Sequence, residues 1–146
     1  MSPLIKDAIA YATAAHGDTL DGNGTPVIAH VLAVALSIRD GFPEHVIAAA
    51  VLHDVVEDTP VNVADIREAF GNDVANLVRT LTREKGVSYF AYIQRIILSG
   101  GRYAIRIKLA DVNHNLSRPN GTPGLHKRYN KALDLLLPAL ANTNRT

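Results

Sequence analysis

Residues 53–59 read His53-Asp54-Val55-Val56-Glu57-Asp58-Thr59, and directly before them runs Val46-Ile47-Ala48-Ala49-Ala50-Val51-Leu52. The preceding run is apolar enough to be buried. On a 3.6-residue helix His53 and Glu57 are i and i+4, as are Asp54 and Asp58, so two polar columns stand side by side over adjoining turns. Carboxylates at the end of a buried segment are costly without a partner, and a cation is the simplest partner. The stretch therefore predicts a helix from Pro43-Glu44 until Thr59-Pro60 stops it, buried along its first part and able to hold a divalent metal at its end.

Outward from this helix, apolar spacing is helical nearly throughout and no convincing alternating strand appears. Ser2-Pro3 is a helix start with a side-chain cap and proline at the first position, and it opens a helix to about His16. Residues 17–25 are rich in turn formers and form a loop. A helix from Pro26 to Asp40 ends at Gly41. Asn62 caps Val63–Phe70, and Gly71 closes that segment. Asp73 to Thr82 follows, with Val74, Leu77, Val78 and Leu81 on one face. Ser88 caps a helix to Leu98, Gly100-Gly101 break the chain, Arg102–Leu116 is helical, residues 117–124 form a Pro/Gly-rich loop, and His126–Ala141 is the last helix. The expected fold class is all-α, a helical bundle with residues 1–146 as a single domain.

Size and composition agree. A chain of 146 residues fits one domain that can bury most of its apolar surface, and 47% hydrophobic with 20% charged residues is ordinary globular usage. The absence of cysteine excludes disulfides, thiolate zinc sites and thiol nucleophiles, so a metal site must be built from His, Asp and Glu. Residues 1–7 lack the basic stretch and apolar core of a signal peptide, and no apolar run is long enough to span a bilayer, so a cytoplasmic location and no membrane partner are expected. A net charge of +1 argues against polymeric nucleic acid as a partner but leaves room for a local basic patch beside a small phosphorylated ligand. No decisive interface signal appears, and self-association into a homo-oligomer stays open.

Two further segments carry residues that complete a metal shell. His30 sits among Ala29, Val31, Ala33 and Val34, and Asp111 lies in Ile107-Lys108-Leu109-Ala110-Asp111-Val112-Asn113-His114-Asn115. Lys108 at i−3 and Asn115 at i+4 share the face of Asp111. His30, His53, Asp54 and Asp111 together offer two imidazoles and two carboxylates, a set suited to Mn²⁺, Fe²⁺, Mg²⁺ or a similar ion with positions left for water and substrate oxygen.

These blocks, in this order, resemble the HD-domain metal-dependent phosphohydrolases. Within them they resemble the hydrolase domain of RelA/SpoT-type alarmone enzymes and their small stand-alone relatives. The resemblance is carried by Ala15-His16-Gly17, Gly24-Thr25-Pro26-Val27-Ile28-Ala29-His30, Ala50 through Thr59, Phe70 through Val78 with Leu81-Thr82, and Lys108-Leu109-Ala110-Asp111 with His114-Asn115-Leu116. It implies an HD-domain bundle in which His30, His53, Asp54 and Asp111 bind the ion, typically Mn²⁺. It also implies that Glu57 and Asp58 position the attacking water or take its proton, while Asn115, Lys108 and Tyr129 line the nucleotide pocket. His16 is a candidate for the same pocket, with interaction at its helix C-terminus as the alternative.

The implied activity is (p)ppGpp 3′-pyrophosphohydrolysis through a metal-activated water, on a small phosphorylated nucleotide, and alarmone synthesis is not expected. The chain departs from the family pattern where a basic pair usually precedes the Gly-x-Pro segment: here the loop reads Asp18-Thr19-Leu20-Asp21-Gly22-Asn23. Val27, Val31 and Val112 also replace frequent Tyr, Pro and Arg or Lys. Intact metal chemistry is expected, whereas these departures leave guanine recognition, and hence the exact substrate, open. The alternatives are an HD phosphohydrolase on another nucleotide or phosphoester, or a non-catalytic nucleotide- or metal-binding module.

Overall fold

The computed structural model describes residues 2–118 and 123–143. Among them the chain forms nine helices: α1 (Pro3–His16), α2 (Val27–Ser37), α3 (Glu44–Leu52), α4 (Val55–Asp58), α5 (Val63–Phe70), α6 (Asn72–Leu81), α7 (Tyr89–Ser99), α8 (Gly101–Ser117) and α9 (Pro123–Thr143). The fold is all-α; the described residues include no strand, only an isolated antiparallel bridge between Leu20 and Pro26 that pinches the base of the loop after α1. Among the described residues no helix is long and apolar enough to cross a membrane.

The capping signals act as the sequence predicts. Ser2 Oγ accepts from the Ile5 amide at 3.3 Å, and Ser88 Oγ accepts from the Ala91 amide at 3.1 Å. Asn62 and Asp65 form a reciprocal capping box, each side chain accepting from the other's backbone amide. At Gly100, between α7 and α8, an added Cβ would lie 2.7 Å from Ile96 O and 2.8 Å from Ala104 Cβ, so the two helices meet too closely for any larger residue.

One expectation needs correction at the decisive stretch. The predicted helix from Pro43 to Thr59 is two helices, α3 and α4, with His53 and Asp54 forming the turn between them. The His53 amide reaches back only three residues, to Ala50 O at 3.5 Å, and its Nδ1 takes the same carbonyl at 2.6 Å. That side-chain bond tightens the last turn of α3, and Asp54 adopts φ −99°, ψ −5°, so α4 restarts off the axis of α3. The other boundary differences are small. α2 stops at Ser37, where the Ser37 hydroxyl caps Val34 O and Ile38 turns into the core. α9 is longer than predicted and runs through Pro138 without ending. Of the predicted loop 117–124, residues 119–122 lie outside the described residues.

α3 is the central element. Every residue from Val46 to Leu52 is buried, so the helix has no solvated face, and α1, α2, α6 and α8 pack around it. One hydrophobic cluster extends from Ala8 and Ala12 of α1 through α3, α6, α7 and α8 to Ala132 and Leu136 of α9. Its consequence for function is positional: the end of α3 delivers His53 and Asp54 into the middle of the bundle, where α2 and α8 also pass.

Candidate metal centre and its cavity

Three segments far apart in the chain bring their polar side chains to one point. His30 comes from α2, His53 and Asp54 from the turn after α3, and Asp111 from α8; one ligand atom from each lies within 4.8 Å of all the others. His30 Nε2 is 2.7 Å from Asp111 Oδ1 and 3.6 Å from Asp54 Oδ2, while His53 Nε2 is 3.4 Å from both Asp54 Oδ1 and Asp111 Oδ1. His30, His53 and Asp111 are buried, and Asp54 is the most open of the set, with 21% of its side chain exposed.

The orientation of both imidazoles is fixed from behind. His53 Nδ1 donates to Ala50 O, which turns its Nε2 toward the cluster. His30 Nδ1 lies 2.7 Å from Nδ1 of His114, so one ring donates to the other and the Nε2 of His30 likewise faces inward. Asp111 receives Lys108 Nζ on Oδ2 at 2.7 Å and, on Oδ1, Asn115 Nδ2 at 3.5 Å. These are the i−3 and i+4 neighbours on the face the sequence predicts.

The electrostatics match a cation site. Burial opposes the charged form of Asp111, yet the Lys108 ammonium and the two imidazoles hold its carboxyl well below the usual range. Burial likewise opposes a charge on His53, but the carboxylates of Asp54 and Asp111 overcome it and lift the imidazole to about 9. Without a cation the cluster therefore recruits a proton, and a divalent ion bound by these atoms would take its place. The donor set of two inward-facing imidazole nitrogens and two carboxylates fits such an ion.

A cavity of about 240 Å³ opens beside the cluster. Among the sequence-predicted residues, His30, Asp54, Asp111, Glu57, Asp58, Lys108, Asn115 and Tyr129 line it. Glu57 sits on α4 with Oε1 accepting from the Arg83 amide, which ties the helix to the connection between α6 and α7. Burial first, then the negative charge of Asp54, raises the Glu57 carboxyl, and the same two causes with Glu57 itself lift Asp58 to about 6. His16 is different. It lies buried where α1 packs on α3 and α4, is not part of the cavity wall, and neither ring nitrogen has a hydrogen-bond partner among the described residues. The structure places it behind the cavity rather than on its wall, and burial there pushes its imidazole pKa down.

Of the basic residues that could gather near a phosphate by sequence, Arg118 and Arg128 line the wall and Lys127 does not, while Tyr89, Tyr92, Arg83 and Asp21 were not singled out by sequence. Tyr89 and Tyr92 from α7, Arg83, Arg118 and Arg128 all face the cavity, as does Asp21 from the loop that lacks the expected basic pair. Asp21 Oδ1 accepts from the amides of Asn23 and Thr25 at 2.9 and 3.1 Å, while its Oδ2 pairs with Arg118, whose other amino group binds Asn115 Oδ1. Asp21 and Arg118 are 97 positions apart, beyond the reach of any local pattern.

Comparison with known proteins agrees with the geometry. The HD domain family matches residues 8–118. The probable guanosine-3′,5′-bis(diphosphate) 3′-pyrophosphohydrolase of Synechocystis is 33% identical over 95% of this chain, which covers 20% of that protein. The bifunctional (p)ppGpp synthase/hydrolase SpoT of Escherichia coli is 32% identical over 77% of this chain and 17% of that protein. The chain thus spans about a fifth of the length of these curated relatives. A solved structure described as a metazoan ortholog of SpoT that hydrolyses ppGpp aligns with TM-score 0.77 and 30% identity over 98% of this chain and 88% of that one. With two thirds and more of its length matched, and with the His, His-Asp and Asp positions assembled at one point, this chain belongs to the HD-domain family.

Proposed function

We propose that this chain is a metal-dependent phosphohydrolase that removes pyrophosphate from the 3′ position of guanosine-3′,5′-bis(diphosphate), with residues 1–146 acting as one HD-type domain. The observation that carries the proposal is the placement of Glu57 and Asp58 in the same cavity as the His30, His53, Asp54 and Asp111 cluster, in a chain whose relatives are named for this reaction. His30, His53, Asp54 and Asp111 would hold the ion, with Mn²⁺ the expected occupant. A divalent ion there supplies charge to the phosphoryl oxygens and acidifies water.

The residues of the chain perform the remaining work. Lys108 holds Asp111 in place and presents its charge to the phosphoryl side of the cavity. Glu57, anchored by the Arg83 amide, orients the attacking water and accepts one of its protons, a contribution of about 10² to 10⁴ in rate. The water oxygen bonds to the 3′-phosphorus, the bond from that phosphorus to the ribose O3′ breaks, O3′ takes a proton, and the two phosphoryl groups leave together as pyrophosphate. Asp58, the more open of the acidic pair, passes protons between Glu57 and solvent. Asn115 and Tyr129 line the nucleoside side.

A second reading, hydrolysis of a different nucleotide, is favoured by one observation: the 18–23 loop contributes Asp21 to the wall, and Asp21 engages Arg118. Incubation of purified protein with Mn²⁺ and ppGpp, other nucleotides and simple phosphoesters, following pyrophosphate and phosphate separately, decides between them. Pyrophosphate from ppGpp is the expected result. Phosphate from an unrelated nucleotide retains the enzyme class and removes this substrate, and no turnover of any compound despite tight binding leaves a non-catalytic module.

A further inference from the structure

His30 on α2 and Asp111 on α8 lie 81 positions apart in the chain, so the geometry between them is set by how those two helices are held together. One tie is the contact between His30 and His114. A second runs along the cavity wall through Asp21, Arg118 and Asn115.

The loop end of this second tie is well braced. Asp21 Oδ1 accepts from the Asn23 and Thr25 amides, the Asp21 amide donates to Thr25 O at 2.8 Å, and the Val27 amide donates to Thr19 O at 3.0 Å. These bonds close the loop into a small ring that runs straight into α2 and places His30 on its first turn. At the other end, Arg118 follows α8 directly, about two turns beyond Asp111. Its guanidinium forks: one amino group binds Asp21 Oδ2 and the other binds Asn115 Oδ1. Because a guanidinium only donates, Asn115 has to turn its oxygen toward it, which leaves Asn115 Nδ2 facing Asp111 Oδ1 at 3.5 Å. That oxygen of Asp111 is the one that also meets His30 and His53.

The contacts thus form a closed circuit from Asp21 through α2 to His30, across to Asp111, and back through Asn115 and Arg118. The ion pair within it is sheltered, with the side chains of Arg118 and Asp21 12% and 19% exposed. Burial opposes the charge on Asp21, yet Arg118 and the two loop amides hold its carboxyl below the usual range. The circuit also depends on arginine. Its planar fork presents two amino groups to two separate acceptors, whereas lysine brings one compact ammonium.

We infer that Asp21 is a positioning residue for the metal centre: through Arg118 and Asn115 it clamps the start of α2 to the end of α8 and fixes how His30 and Asp111 meet the ion. The inference rests on the metal-dependent reading above and is independent of the substrate. The acidic loop that stands in place of the expected basic pair serves the metal ligands.

The test is Mn²⁺ affinity, measured by equilibrium dialysis on the full chain without nucleotide. Asp21→Asn keeps an oxygen for the Asn23 and Thr25 amides and removes the charge facing Arg118, while Arg118→Lys keeps the charge and removes the fork. Each should weaken Mn²⁺ binding about tenfold, the low end of the range for residues that orient metal ligands, with the melting temperature in chelator close to the parent's. The double variant should lose no more than either single one, because both substitutions break the same chain of contacts. Unchanged affinity in Asp21→Asn, parental affinity in Arg118→Lys, or losses that multiply in the double variant overturn the clamp. A parent that binds no Mn²⁺ removes the metal centre and the clamp together. A protein that shows the shared loss but hydrolyses nothing keeps the clamp and sinks the hydrolase, and one that releases pyrophosphate while its Mn²⁺ affinity ignores both substitutions does the reverse.

Discussion

Replacing Lys108 by methionine isolates the electrostatic design of the site. Lys108 and Asp111 are both buried, 9% and 7% exposed by side chain, and meet at 2.7 Å. Methionine retains most of the aliphatic stem that packs against Tyr92 and Tyr89, so the change removes chiefly the charge and its hydrogen bond. Breaking a buried pair by deleting one partner costs about 3–5 kcal/mol, because the other charge is left uncompensated. For a chain of 146 residues an unfolding entropy near 2.1 cal/mol/K per residue gives roughly 0.3 kcal/mol/K, so the metal-free variant should melt about 10 °C or more below the parent. Asp111 is also a candidate ligand, and a divalent ion supplies the charge that lysine provided. Added Mn²⁺ should therefore raise the melting temperature of Lys108→Met more than that of the parent, closing much of the gap. The assay is thermal unfolding of both proteins in chelator and in excess Mn²⁺. A loss of equal size in both conditions would show that Asp111 does not face the ion, and the assigned cluster would be wrong.

The other predictions concern the acids and the imidazole. Glu57→Gln retains an oxygen that can accept from the Arg83 amide, so α4 should stay in place and manganese content should match the parent, while turnover falls by about 10² to 10⁴; elemental analysis beside a pyrophosphate-release assay reads both. Asp54→Ala removes the most open member of the cluster and should lower manganese occupancy at least tenfold, measured by equilibrium dialysis, with unchanged occupancy excluding Asp54 as a ligand. Manganese binding below about pH 9 should displace the proton that Asp54 and Asp111 hold on His53, seen as proton release in calorimetry repeated in buffers of different ionisation enthalpy. With chelator, stability should fall as pH rises through two windows: from 3.8 to about 6, as Asp58 loses the proton the fold favours, and from 6.5 to about 9, as His53 does. Both folded values lie above the unfolded ones, so each contribution is complete at low pH and lost with rising pH, and melting curves across that range check it.

Much of the scaffold was legible because its signals are local. Ser2, Asn62 and Ser88 cap helices through atoms three residues away, and Gly100-Gly101 interrupts a helix by backbone conformation, so sequence spacing carries that information. The break at His53 was hidden for an equally physical reason. Val46–Leu52 is apolar on all sides, so it shows no face whose phase could slip, and nothing in the pattern reveals that the His53 ring will take the Ala50 carbonyl. The clustered His30, His53, Asp54 and Asp111 stood out because a histidine or aspartate in an apolar helix is anomalous by itself. Arg83, Tyr89 and Tyr92 are ordinary in their local segments and become informative only when the bundle brings α7 and the α6–α7 connection to the same wall.

Two imidazoles and two carboxylates could in principle close a tetrahedral structural site, with nothing left to react. The distribution of burial argues otherwise. His30, His53 and Asp111 are buried on the core side, whereas Asp54 stands at the cavity, so the cluster is sealed toward α3 and open toward Glu57, Asp58 and Lys108. A structural site has no use for a second pair of carboxylates on its open side, since their charges add to the cost of burial: burial first, then Asp54 and Glu57, push Asp58 up to about 6. That cost is offset only when positive charge occupies the cluster and a polar ligand fills the cavity beyond it. The charge pattern of the site thus supports the proposed hydrolysis, with a cation in the cluster, an anionic ester beside it and Glu57 and Asp58 on the water side.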